Sequence, residues 1–87
     1  MKITNDDIEF FTKAEEIIKR GYYPDGNKAI DRYKRIFSSE ISEGKMRGNL
    51  SPKCGACIKE SVKITMTEIR KLQEKLNLYD DRANQED

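Results

Sequence analysis

Apolar residues in the first quarter of the chain recur at helical rather than strand spacing. Ile8, Phe11 and Ile18, with Phe10, Ala14 and Ile17 one position round, form a stripe along one side of a helix. Thr4 or Asn5 is placed to cap the first free amides, Asp6, Asp7 and Glu9 sit where the helix dipole favours anions, and Lys19 and Arg20 sit where it favours cations. Gly21 supplies a left-handed residue to end it, so a helix is predicted over Thr4 to Gly21. Tyr22 to Asn27 reads as a loop, because Tyr23 precedes Pro24 and Asp25-Gly26 is strong turn chemistry; Asp25 or Asn27 is placed to cap a second helix.

From Lys28 to Phe37, Ala29, Ile30, Tyr33, Ile36 and Phe37 mark one face of that second, shorter helix, and Lys28, Arg32 and Arg35 mark the other. Between Ser38 and Asn49 the pattern dissolves into serines, glycines and charges, which predicts a connector of about a dozen residues, long enough to form an interface loop or a lid. Ser51-Pro52 then reads as a helix opening, with serine as cap and proline at the first helical position. Ile58, Val62, Thr65, Ile69, Leu72, Leu76 and Tyr79 come next at alternating spacings of four and three, a heptad seam on one long helix ending near Tyr79. The expected fold is all-α: two short helices folding back antiparallel on a long C-terminal one, in a single domain over residues 1–79, with Phe10, Phe11 and Phe37 supporting the core. Residues 80–87 read as a flexible acidic tail.

Composition sharpens this picture. Only 36% of the 87 residues are hydrophobic and 38% are charged, so the core is thin and added burial through self-association or a partner is expected. Two short helices cannot cover every turn of a long one. The far seam, Ile69, Leu72, Leu76 and Tyr79, is therefore the expected surface for a second copy or another protein. No apolar stretch approaches the roughly 20 residues of a membrane span, and no secretory signal is evident; a soluble protein of a reducing intracellular compartment is expected, with no membrane partner.

The net charge of +1 hides segregation: residues 1–27 carry −2, residues 28–53 +4, residues 54–79 +2 and residues 80–87 −3. Arg32, Arg35, Lys45 and Arg47 in the basic middle define an alternative function, binding of a phosphate, nucleotide or nucleic acid, with a tyrosine available to stack on a base. The competing reading is a solvated face, or a dock for an acidic segment of another copy. There is no histidine, glycine-rich phosphate loop or nucleophile elbow; Asp6-Asp7 and Glu15-Glu16 read as helix-end and solvent-face charges, so a non-enzymatic protein without a cofactor is expected.

Cys54-Gly55-Ala56-Cys57 carries the remaining candidate chemistry. A helix N-terminus lowers a thiol's pKa, which suits dithiol redox work, although no strand precedes the motif as it does in thioredoxin-like enzymes. Two thiolates at this spacing are also half of a tetrahedral zinc site, which this chain completes only if two copies meet. The favoured reading is that both cysteines are small core residues beside Ile58 and Ser61.

Tyr33-Lys34-Arg35-Ile36-Phe37, a polar connector, and Ser51-Pro52-Lys53-Cys54-Gly55-Ala56-Cys57-Ile58-Lys59 opening a long charged helix resemble short proteins encoded by crAss-like phages of gut Bacteroidales and by related mobile elements, over about Ala29 to Leu72. The resemblance implies context rather than mechanism. It points to an accessory subunit repeated around a phage head or tail, or to a small oligomer that binds a host factor or defence nucleotide.

Overall fold

A computed structural model describes residues 2–85, with side chains through residue 75. Four helices succeed one another: α1 Asn5–Lys19, α2 Gly26–Ile36, α3 Ser38–Ser42 and α4 Gly55–Gln85, and no strand occurs among the described residues. The expected all-α class therefore holds, with one helix more than the hydrophobic pattern indicates.

α1 begins in a reciprocal cap. Thr4 Oγ1 accepts from the Asp7 amide at 3.1 Å, and Asp7 Oδ2 accepts from the Thr4 amide at 3.0 Å, which satisfies two otherwise unpaired donors. The helix ends where expected: Gly21 takes φ +87°, its amide reaches Ile18 O at 3.0 Å, and the Tyr22 amide reaches Ile17 O at 3.2 Å. Asp25 caps α2 by accepting from the Lys28 amide at 3.3 Å. All five apolar positions read for this helix, Ala29, Ile30, Tyr33, Ile36 and Phe37, are buried.

The core gathers Phe11 and Ala14 from α1, the five residues of the α2 face, Leu50 from the connector, and Cys57, Ile58, Val62, Met66 and Ile69 from α4. Ser61 and Thr65 are fully buried on the same seam. Their hydroxyls donate to Ile58 O and Ser61 O, both at 2.7 Å, so neither brings an unpaired polar atom inside.

Two local expectations are corrected. The stretch from Ser38 to Asn49 is not wholly irregular: it contains α3, and its far end is anchored by Tyr33, whose hydroxyl donates to Arg47 O at 2.8 Å, and by buried Leu50. Burial pushes the Tyr33 hydroxyl above its usual pKa, which keeps its proton in this bond. The long helix opens at Gly55 rather than at Pro52. Ser51-Pro52-Lys53 forms a turn, closed by the Cys54 amide on Ser51 O at 3.1 Å, and Cys54 takes the capping position, its carbonyl accepting from the Ile58 amide at 3.0 Å.

The connector's length has a topological cause. α2 starts against the beginning of α4, because a Cβ at Gly26 would stand 2.8 Å from Ile58 Cδ1 and well inside contact distance of the Pro52 carbonyl oxygen. From there α2 packs along α4 and ends beside the start of α1, where the Lys2 amide meets Ile36 O at 3.3 Å. Residues 37–54 carry the chain from the end of α2 back to the start of α4, beside which α2 begins. Gly26→Ala is expected to destabilise the fold by about 1–3 kcal/mol, because two backbones must part to admit one methyl group. Chemical denaturation followed by circular dichroism measures this; a loss below about 0.5 kcal/mol would show that the contact yields freely.

Candidate functional site

Three places in the fold hold the residues singled out by sequence. The first is the far half of α4. Ile58, Val62, Thr65 and Ile69 are buried, whereas Leu72 is 36% exposed and every residue from 70 to 75 lies on the surface. Ile69, expected on the partner surface, is therefore a core residue, with α1 reaching the neighbouring position of α4 through Glu15 and Arg70. An ion pair marks the edge of this cover: Arg70 Nη2 donates to both carboxylate oxygens of Glu15 at 2.6 Å, tying α4 to α1. The side chains of Leu76 and Tyr79 lie outside the described residues, but the helix backbone passes both positions. It continues through Asp80 to Gln85, beyond its expected end near Tyr79, because the sequence has neither glycine nor proline after Gly55.

The second place is a charge cluster between α1 and α2. Asp7 has no exposed surface, yet its Oδ1 accepts from Arg32 Nη1 at 2.8 Å and from Arg35 Nη2. Arg32 also reaches Asp6 Oδ2 at 3.2 Å and lies 4.7 Å over the Phe10 ring. Burial alone would push the Asp7 carboxyl up, but hydrogen bonds from Arg35, the Thr4 amide and Arg32 together bring it down to about 2. The sequence marks Asp7 as a helix-end charge; nothing in a single helix shows that its partners stand 25 and 28 residues away.

This cluster changes the proposed phosphate surface. Arg32 and Arg35 are turned toward Asp7, Lys45 Nζ pairs with Glu43 at 2.9 Å, and Arg47 Nη1 pairs with Glu60 at 3.2 Å while its Nε donates to Asn49 at 3.0 Å. Each of the four cations has a carboxylate partner within the chain. Arg35, Lys45 and Arg47 nevertheless keep 50%, 72% and 55% of their side-chain surface exposed, so these are surface pairs that occupy only part of each cation's donors.

The third place is the start of α4. Cys57 is buried, as the core reading requires, and Cys54 is half-buried; both are free thiols. Cys54 Sγ accepts from the Cys57 amide at 3.2 Å, so this cysteine does the work of an N-cap side chain. Hydrogen bonding from the Cys57 thiol and amide, helped by the Ala56 amide and the Arg47 charge, holds the Cys54 thiol below its usual pKa. Among the described residues no three histidine, cysteine or acidic side chains gather as a metal site, so zinc would require donors from a second copy. No helix is long and apolar enough to cross a membrane among the described residues.

No protein-family model, curated protein or solved structure matches this chain. The chemistry and exposure of these three places are therefore what bears on its function.

Proposed function

We propose that this chain is a small helical interaction protein that pairs with a second copy of itself through the far half of α4. The observation that carries this reading is the change along one seam: it is buried through Ile69, exposed at Leu72, and continues at heptad spacing to Leu76 and Tyr79 on a helix that runs to Gln85. A 31-residue helix extends about 46 Å, and α1, at 15 residues, covers about 22 Å of such a length.

Charge favours a second copy as the occupant. Residues 70–75 carry Arg70, Lys71 and Lys75 against Glu74, a net +2, with Arg70 and Lys71 also pairing with Glu15 and Glu68, while residues 80–87 carry Asp80, Asp81, Glu86 and Asp87 against Arg82, a net −3. Antiparallel pairing sets each basic part against the partner's acidic end, and parallel pairing sets like against like. A thin core adds a reason to associate, since further apolar burial is one of the few sources of stability open to a domain of this size. With the resemblance of residues 29–72 to short phage proteins, the role that fits is an accessory subunit in a phage assembly.

Leu72→Glu and Leu76→Glu are each expected to weaken self-association about tenfold or more, because a carboxylate replaces a seam side chain in both chains of the pair. The bundle itself should keep its helicity and melting behaviour, since Leu72 lies beyond the buried seam. Size-exclusion chromatography with light scattering reads the first effect and circular dichroism the second. Association unchanged by either substitution would remove the seam from the interface.

A further inference from the structure

We propose that Cys54 and Cys57 form a redox-active dithiol that exchanges with small anionic disulfides of the glutathione class, Cys54 being the attacking thiol and Cys57 the resolving one. The geometry at the start of α4 supports this division of labour. Cys54 stands at the capping position, half-buried and reachable from solvent, with its sulfur folded back over one turn to the Cys57 amide at 3.2 Å. Its sulfur is thus already aimed at the residue with which it would bond. Cys57 is only 9% exposed, which shields it from attack by solutes but not from its neighbour.

The surroundings suit an anionic thiol reagent. Lys53 and Lys59 flank the motif on the surface, and the Lys59 ammonium lies 5.3 Å from the centroid of the Tyr23 ring. Tyr23 is 55% exposed and leans over Gly55, where a Cβ would meet its Cζ and Oη at 3.0 Å, so the ring lies close over the turn between the two cysteines. The exposed Tyr23 face beside Gly55, together with the positive charge of Arg47 acting on the Cys54 thiol, gives a small anionic peptide disulfide something to rest on.

The exchange balances without any further reagent. Cys54 ionises, and its thiolate attacks one sulfur of the small disulfide, forming a mixed disulfide and releasing one small thiolate, which takes up the proton that Cys54 gave up. Cys57 then gives up its proton, and its sulfur attacks the Cys54 sulfur and expels the second small thiolate, which takes a proton. Two electrons pass from the protein to the reagent: one small disulfide is reduced to two thiols while one protein disulfide forms. The helix N-terminus favours the first step by stabilising the attacking thiolate.

The test is intact-mass measurement of the full chain after incubation with glutathione disulfide and acid quenching. Wild type is expected to lose two hydrogens without accumulating an adduct. Cys57→Ser is expected to hold one glutathione, and Cys54→Ser to react about tenfold more slowly or less, because its remaining thiol is buried. Serine is itself a good helix cap, so Cys54→Ser should keep its fold, which circular dichroism checks. A readout free of substitutions is the alkylation of wild type by iodoacetamide, mapped by proteolysis. Cys54 should be labelled about tenfold faster than Cys57, with a rate midpoint at a lower pH than that of a free thiol. A stable glutathione adduct on wild type, no oxidation at all, or equal labelling of the two cysteines would each overturn the proposal.

Discussion

Phe11→Ala is expected to remove about 3–5 kcal/mol of stability, the usual loss when a buried aromatic ring is truncated. Phe11 has no exposed surface, and its ring meets Phe10 edge to face at a centroid distance of 5.2 Å. Phe10 in turn lies beneath Arg32, so one substitution loosens both the core contact of α1 and the aromatic support of the charge cluster. At about 0.05–0.15 kcal/mol per residue, a chain of this size holds on the order of 4–13 kcal/mol in total. The variant should therefore sit near or beyond the edge of folding, with a much lower urea midpoint. A loss below about 1 kcal/mol would mean that α1 is not held on α4 by this ring.

Asp7→Asn is expected to cost about 2–4 kcal/mol for a different reason. Asparagine can still accept from the Thr4 amide, but it carries no charge to balance Arg32 and Arg35. Breaking a fully buried ion pair costs about 3–5 kcal/mol; here the arginine side chains are 28% and 50% exposed and regain part of their hydration, which reduces the loss. The same carboxyl gives the fold a defined acid response. Its folded pKa of about 2 lies below the ordinary 3.8, so its contribution is fully present above about pH 4 and is lost as pH falls through about 2. The size of that contribution is about 2 kcal/mol. Denaturation curves collected between pH 5 and pH 2 should show this step in wild type and lack it in Asp7→Asn. Parallel curves for the two proteins would show that Asp7 is not the group responsible.

Much of this fold is written in local chemistry. The caps of α1 and α2, the left-handed Gly21 and the five-residue face of α2 are dictated by spacing and turn residues alone, because each depends on neighbours within about one turn. The capping chemistry of α4 is less legible. Ser51-Pro52 has the residue types of a helix start, yet Pro52 is held against Gly26, and the chain turns once more before Cys54 opens the helix. Leu50, isolated between polar residues, gives no periodic signal and is nonetheless buried. α3 is too short for periodicity to identify.

The functional residues divide in the same way. The continuation of the seam past Ile69 is visible as a heptad repeat, but where its cover stops is a property of the packed molecule. The basic face of α2 is equally visible. That two of its arginines turn inward to a buried aspartate on α1 is a tertiary fact. The zinc reading has no third or fourth donor among the described residues. Cys54 and Cys57 share a face, as their spacing requires, but only the position of the cap separates a half-buried thiol from a core one.

Pairing of two copies through the far half of α4 is tested most directly by sedimentation of the reduced wild-type chain at concentrations from about 10 μM to about 1 mM, where a weak pair of short helix segments associates. The weight-average mass should rise with concentration from one chain, 10.1 kDa, toward two. A constant 10.1 kDa across that range would contradict self-pairing.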